Sequence, residues 1–193
     1  GFAIFEAILK ERWLLRIHLL QLGDIHLGSE DTVGPLLLFD DDGAGEVADI
    51  VAIYDEADEL LVRLIHCKYS KEESPGLRVL DIYELCGQAQ KSVKWGESVE
   101  RLLQHIRRRE TRRLTAGSPS RFDKGGLGDL PKVRALARQK RTRFEVVLVQ
   151  PGISRKKLVS GSDRANQTLR LFGATAAYLA ETFEMRMQVV VSP

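Results

Sequence analysis

Residues 45–70 read GEVADIVAIYDEADELLVRLIHCKYS, and this stretch decides the fold. Its two apolar runs, Val47–Tyr54 and Leu60–Lys68, are separated by a short polar turn at Ala57-Asp58-Glu59. Apolar runs of this length that are bounded by turn residues are typical of buried β-strands. The stretch therefore predicts a β-hairpin of two buried strands.

Polar side chains interrupt this apolar hairpin at Asp49 on the first strand and at His66 and Lys68 on the second. Because successive side chains of a strand alternate between its two faces, His66 and Lys68 point the same way. The turn brings Asp49 alongside them. An acid, a second ligand and a cation are thus expected to converge on one face of the hairpin.

A third polar element lies in the next predicted helix, Val79–Trp95, where Gln88 and Lys91 form a Gln-x-x-Lys spacing. Polar residues three apart share one side of a helix. They serve either as the polar face of an ordinary amphipathic helix or as part of a site. Both interpretations remain open from the sequence.

The hairpin acid, the H-x-K spacing on the second strand and the Q-x-x-K spacing on the helix resemble the PD-(D/E)xK, or restriction-endonuclease-like, nuclease superfamily. The pattern of that superfamily is an acid on one strand and D/E-x-K on the next, and the helical element is similar to that of its Mrr-like branch. The resemblance covers about residues 36–95 by motif. It implies an α/β fold with a mixed central β-sheet flanked by helices, as in nuclease domains attached to helicases in bacterial defence systems.

The resemblance also implies a role for each polar group. Phosphodiester hydrolysis needs a divalent ion, Mg²⁺ or Mn²⁺, and positive charge near the phosphorane that develops. Asp49 and His66 would hold the metal, and the backbone carbonyl of Cys67 would add an oxygen ligand. Lys68 would orient the attacking water or neutralise the developing charge. The helical Gln88-x-x-Lys91 pair would then support the catalytic groups.

His66 occupies the position at which the family pattern has a carboxylate. A neutral imidazole binds Mn²⁺, Fe²⁺ or Zn²⁺ but adds no negative charge, and Mg²⁺ prefers oxygen ligands. Three outcomes stay open: a changed metal preference, weakened catalysis, or replacement by another carboxylate. The candidates for replacement are Glu46, Glu84 and Glu6.

The charge of +2 for the whole chain hides a strong division along the sequence. Residues 1–100 contain 9 Lys/Arg and 20 Asp/Glu, whereas residues 101–157 contain 17 and 4. Arginine clusters supply the phosphate contacts that dominate nucleic-acid affinity, although a solvated helix face or a partner for the acidic half is the plainer interpretation. We expect a DNA-binding surface formed by Arg107, Arg108, Arg109, Arg112, Arg113, Arg138 and Arg141.

The remaining sequence alternates helical and strand patterns. A strand, a helix and a strand near the C-terminal end predict parallel, buried strands of the same sheet, the first of them stopped by Pro151-Gly152. The helix between them is expected to pack through Leu171, Ala174, Thr175, Tyr178 and Leu179. The predicted helices are Phe2–Leu22, Glu97–Leu114, Leu130–Lys140 and about Thr168–Phe183; the further strands are Leu36–Phe39, Phe144–Gln150 and Met187–Val191.

Length and composition are typical of one domain, since 193 residues with 44% hydrophobic side chains form one sizeable core. We expect a single domain over residues 1–193, with a flexible connector at about 115–128. The start at Gly1 is typical of a trimmed tag or of a domain excised from a longer protein. No apolar run approaches the roughly 20 residues that span a bilayer, and no signal peptide opens the chain, so a cytoplasmic protein that does not enter a membrane is expected.

Three hypotheses of different classes follow from these patterns. The first is a metal-dependent deoxyribonuclease that acts in anti-phage defence, with a helicase or another defence subunit as partner and a homodimer as a candidate assembly. The second is a degenerate nuclease-fold module that binds nucleic acid or assembles with such a partner. The third is a structural domain in which Asp49 and Lys68 form a buried ion pair.

Overall fold

A six-stranded sheet forms the centre of the computed structural model, which describes residues 34–68 and 74–193. Its first four strands in spatial order are antiparallel neighbours, and the last three are parallel neighbours. The predicted α/β fold with a mixed sheet flanked by helices is therefore confirmed. The strands are β1 (Leu37–Asp40), β2 (Ile50–Asp55), β3 (Glu59–Cys67), β4 (Phe122–Lys124), β5 (Arg141–Ser154) and β6 (Arg186–Ser192), in the spatial order β4-β1-β2-β3-β5-β6.

Helices connect these strands within residues 74–193, and those predicted in this range are present. Three of these helices lie between β3 and β5 along the chain. Two follow β3 in succession, and the third comes after β4. Such a crossover is what two parallel neighbouring strands require. The helices are α1 (Val79–Gly96), α2 (Val99–Thr115), α3 (Leu130–Gln139), α4 (Arg155–Leu158) and α5 (Asp163–Phe183).

The β2–β3 hairpin has the register that the sequence predicts. Ile50 pairs with Ile65 at one end and Asp55 with Leu60 at the other, next to the turn. Asp49 directly precedes Ile50 and His66 directly follows Ile65, so the two residues lie opposite each other at the open end of the hairpin. The two-residue period of the strands places both on the same face, because a slip by one residue would turn every side chain over.

That face of the sheet packs against the helices and contains the main hydrophobic core. His66 continues the series of alternate β3 residues Leu60, Val62 and Leu64, all of which are buried in this core. The imidazole consequently points towards the helices. The helical side chains in the same core include Ile82, Leu85, Leu102, Ile106, Val133, Phe172 and Leu179.

The predicted end of strand β5 needs correction. Strand β5 does not stop at Pro151-Gly152 but continues to Ser154, with an irregular register against β6 after Gln150. The irregularity accommodates a proline that has no N–H for the ladder, and the Gln150 side chain accepts a hydrogen bond from the Gly152 N–H at 2.8 Å.

Helix α5 begins at Asp163, five residues earlier than predicted, and is capped by the Ser162 hydroxyl. The earlier start reveals a buried stripe whose members recur every three or four residues, as on one face of a helix. Ala174 and Tyr178 lie off this stripe and are exposed, contrary to the prediction. The buried stripe is Ala165, Thr168, Phe172, Thr175 and Leu179.

The segment predicted as a connector, residues 115–128, contains strand β4. This strand pairs with β1, and the rings of Phe39 and Phe122 lie 4.8 Å apart between centroids. The predicted helix Phe2–Leu22 and Glu6 lie outside the described residues. No helix in the described ranges combines the length and the apolar character needed to cross a membrane.

Candidate metal centre and basic surface

Asp49 and His66 meet at the open end of the β2–β3 hairpin. The Asp49 carboxylate accepts a hydrogen bond from the Cys67 backbone N–H, with 2.7 Å between N and Oδ2. The same Oδ2 lies 4.0 Å from His66 Nδ1. Two of the residues that the sequence predicts to converge are therefore neighbours across the strands.

His66 is almost completely buried, with 2% of its surface exposed. Burial lowers the pKa of its imidazole to about 4, because the charged form loses hydration. The ring is therefore neutral at physiological pH and forms no ion pair with Asp49. Its Nε2 lies 2.7 Å from the Ser92 hydroxyl on α1, whereas its Nδ1 has no hydrogen-bond partner.

The Ser92 hydroxyl decides which ring nitrogen of His66 carries the proton. Two backbone carbonyls lie within its reach, Gln88 at 3.1 Å and Val47 at 3.3 Å. When the hydroxyl donates to either carbonyl, its oxygen accepts the His66 Nε2–H, and Nδ1 keeps its lone pair. A buried lone pair then faces the Asp49 carboxylate, which is the arrangement that a metal ligand needs.

Asp49, His66 and Ser92 also stand in the order of a hydrolytic triad. Ser92, however, is 1% exposed, so a substrate carbonyl or phosphate cannot reach its oxygen. Its hydroxyl serves the packing of α1 on the sheet through the two backbone carbonyls. Ser92 is therefore a hydrogen-bonded support for His66 and not a nucleophile.

Two further carboxylates approach Asp49 from the loop between β1 and β2. Asp42, Glu46 and Asp49 each offer an oxygen within 4.8 Å of the other two, and all three are half-buried. Carboxylate oxygens are the ligands that Mg²⁺ and Mn²⁺ prefer. These three residues could hold a divalent ion.

One member of this cluster was foreseen and one was missed. Glu46 is among the carboxylates that the sequence offers as a replacement for the missing family acid, and the structure brings it to Asp49. Asp42 is not among the residues that the sequence singles out as a candidate ligand. Its signal was the run of acids at residues 40–42, but their sequence spacing alone does not show which one turns inward.

Lys68 follows the end of β3, and its backbone N–H donates to the Val149 carbonyl at 3.0 Å. Its ammonium lies 2.5 Å from the Glu84 carboxylate on α1, and both side chains are partly exposed, at 29% and 54%. The buried Asp49–Lys68 pair of the structural hypothesis is therefore wrong, since Lys68 pairs with Glu84. Glu84, which the sequence offers as a replacement ligand, contacts Lys68 and is not one of the three clustered carboxylates.

Helix α1 presents a polar stripe to this end of the sheet. Glu84, Gln88 and Ser92 recur every four residues, and the first and last of them contact Lys68 and His66. Gln88 lies between these contacts, and its buried side-chain oxygen has no hydrogen-bond partner. Lys91 is exposed on the neighbouring side of the helix. Of the two helical residues, Gln88 is the one that the stripe brings towards the site.

The predicted basic surface divides into inward and outward arginines. Arg109 donates to the backbone carbonyls of Ala44 and Asp41, and Arg113 donates to that of Pro119 at 2.7 Å. These two side chains hold the fold together. The outward members, which are exposed on α2, on α3 and at the start of β5, are Arg107, Arg108, Arg112, Arg138 and Arg141.

A cleft of about 870 Å³ lies between α2 and α3 and is lined by Arg107, Arg134 and Arg138. Arg134 pairs with Glu100 at 2.5 Å, and this contact lowers the pKa of the Glu100 carboxyl. Because Glu100 is neutralised in this way, the remaining arginines of the cleft present net positive charge. The cleft adds concave shape to the outward basic surface.

No protein-family model, curated protein or solved structure matches this chain. The site combines three carboxylates, a neutral buried imidazole and a lysine at one end of the sheet, with exposed arginines on α2 and α3.

Proposed function

We propose that the protein is a metal-dependent nuclease that hydrolyses phosphodiester bonds of DNA. The observation that carries the proposal is the meeting of Asp42, Glu46 and Asp49 within 4.8 Å, with the buried, unpartnered Nδ1 of His66 lying 4.0 Å from Asp49 Oδ2. Carboxylate oxygens gathered this closely are the ligands that Mg²⁺ and Mn²⁺ prefer. The cofactor would be Mg²⁺ or Mn²⁺, and the imidazole favours Mn²⁺.

When bound, the ion would lower the pKa of a water and neutralise charge on the phosphate. The carboxylates of Asp42, Glu46 and Asp49 would hold it, and His66 Nδ1 would complete the set. The backbone carbonyl of Cys67 stays a further candidate ligand. These carboxylates would supply the negative charge that His66 lacks. The site could therefore be active although a histidine stands where the family pattern has an acid.

Lys68 would act on the phosphate. Its ammonium is held by Glu84, but both groups are partly exposed, so a phosphate oxygen can displace the carboxylate at modest cost. An ammonium placed there stabilises the charge that grows on the phosphorane. Gln88, on the same helical stripe, would orient a water or a phosphate oxygen through its side-chain amide, with Lys91 as an outer cation.

The DNA would bind through phosphate contacts with the outward arginines Arg107, Arg108, Arg112, Arg138 and Arg141. Such contacts supply salt-sensitive affinity without sequence preference. The resemblance to nuclease domains of bacterial defence helicases extends the proposal to an anti-phage effector in the cytoplasm. A helicase or another defence subunit, and a second copy of the chain, are its proposed partners.

A second candidate function is a nuclease-fold module that binds nucleic acid without cutting it. The observations that favour it are the neutral His66, which is already bonded to Ser92, and the engagement of Lys68 by Glu84. A His66→Glu variant separates the two candidates. Gain of cleavage in that variant would favour the degenerate module, whereas loss of wild-type cleavage would mean that the imidazole is used.

The test is incubation of supercoiled plasmid with the protein in Mg²⁺, Mn²⁺ or EDTA. The variants are Asp49→Ala and Lys68→Ala, with the exposed turn residue Asp58→Ala and the exposed Lys132→Ala as matched controls. Metal-dependent nicking that both site variants lose and both controls keep supports the nuclease. Undiminished nicking in Asp49→Ala and Lys68→Ala would refute it.

A further inference from the structure

The loop that carries two of the three clustered carboxylates has a conformation of its own. Residues 41–47 form most of the connection between β1 and β2 and include Gly43 and Gly45, with φ angles of 119° and 81°. Residues with a Cβ rarely adopt such angles. The loop therefore depends on its glycines to turn Asp42 and Glu46 towards Asp49.

The guanidinium of Arg109, on α2, lies against this loop. It donates to the carbonyl of Ala44 at 2.8 Å and to that of Asp41 at 2.9 Å, and it forms an ion pair with the Asp41 carboxylate. A Cβ on Gly43 or Gly45 would lie 3.8 Å from its terminal nitrogens. One side chain thus spans the loop from its first residue to its middle.

The side chain of Asp41, the first residue of the loop, binds both the other end of the loop and α2. It is fully buried, and its carboxylate accepts the Val47 N–H at 2.7 Å and lies 3.1 Å from His105 Nε2. The His105 ring in turn packs on Trp95, with 4.7 Å between centroids. The two ends of the loop, residues 41 and 47, are thereby joined to each other and to α2.

The charges in this arrangement suit a cation nearby. The Asp41 carboxylate neutralises Arg109, so the guanidinium does not repel a divalent ion as an isolated arginine would. If the loop were free to move, binding an ion would first have to bring the carboxylates of Asp42 and Glu46 to Asp49. Holding the loop in place reduces the ordering cost of binding.

We infer that Arg109 is a positioning residue of the metal centre, which holds the 41–47 loop so that the carboxylates of Asp42 and Glu46 face Asp49. The inference rests on the metal centre of the proposed function. Arg109 contacts no proposed ligand atom and acts through the loop backbone. The fork of its guanidinium reaches several acceptors at once, whereas the single ammonium of a lysine cannot reproduce that pattern.

The test measures Mn²⁺ binding to the full chain from the loss of the free-ion electron paramagnetic resonance signal. Arg109→Lys keeps the charge and is expected to weaken binding roughly 10–100-fold, as changes to residues that orient metal ligands do. Arg164→Lys, exposed on α5, is the matched control and should bind Mn²⁺ as the wild type does. Circular dichroism checks that each variant is folded.

Gly43→Ala is a second variant that strains the loop without removing a buried charge, and it should weaken Mn²⁺ binding in the same direction. If Arg109→Lys and Gly43→Ala bind Mn²⁺ as tightly as the wild type while Asp49→Ala loses binding, the role of Arg109 is overturned and the metal centre is not. Absence of Mn²⁺ binding by the wild type at millimolar concentrations would overturn both the inference and the metal centre. Mn²⁺ binding with the expected variant effects but without plasmid cleavage would support the inference and refute the nuclease.

Discussion

His66 Nδ1 lies 4.0 Å from Asp49 Oδ2 on the neighbouring strand, and the ring that carries it is neutral because burial lowers its pKa to about 4. Two ligand atoms on one metal ion are about 3–4 Å apart, since each bond is about 2.1 Å long. The gap is too long for a hydrogen bond and is close to the spacing of a shared ion. This relationship makes His66 a candidate to share an ion with Asp49.

The protonation of His66 predicts a pH dependence of stability in the absence of metal. Its pKa in the folded state, about 4, lies below its ordinary value of 6.5. The unfolded chain therefore binds more protons between these values, and stability falls as pH decreases from about 6.5 to 4. The loss is on the order of 3 kcal/mol. Urea unfolding in EDTA across this range should show a flatter profile for His66→Gln, and an equally steep profile would contradict the assignment.

Ser92 supports His66, so Ser92→Ala should lower both stability and metal affinity. The variant leaves a buried imidazole nitrogen without its partner, which costs about 1–3 kcal/mol. Urea unfolding measures the first effect, and Mn²⁺ titration measures the second. The exposed Ser74→Ala is the control. A variant that matches the wild type in both measurements would show that Ser92 does not orient the ring.

Glu84 competes with phosphate for Lys68, so Glu84→Gln should strengthen DNA binding at low salt. The pair is partly exposed, and its loss should change the free energy of unfolding by less than about 1 kcal/mol. Fluorescence anisotropy with a labelled duplex measures the affinity, with Glu181→Gln on α5 as an exposed control. Weaker binding than that of the control would place Lys68 away from the phosphate.

The outward arginines should set the salt dependence of DNA binding. Removal of one phosphate contact, as in Arg108→Ala or Arg112→Ala, should reduce the slope of log K against log salt by about 1. Arg164→Ala, exposed on α5, should leave the slope unchanged. Equal slopes for all three variants would move the nucleic-acid surface away from α2.

Local patterns were sufficient for the hairpin and for the first half of the site. The two-residue period predicts that Asp49, His66 and Lys68 share one face, because side-chain direction in a strand is fixed by position. In the structure Asp49 directly precedes β2 and Lys68 directly follows β3, so their directions also depend on the adjoining loops. The same reasoning predicted the mixed sheet from the order of its elements. Each of these inferences depends on residues that are close in sequence.

Only the tertiary structure brought Arg109 to Asp41, Ser92 to His66 and Asp42 to Asp49. The first contact joins residues 68 positions apart, and no local period distinguishes Arg109 from the exposed Arg108 beside it. Which arginine points inward depends on how α2 crosses the end of the sheet, and that crossing is set by packing of the whole core. The sequence by itself therefore determined which strand residues could form a site, whereas long-range packing decided which loop and helix residues complete it.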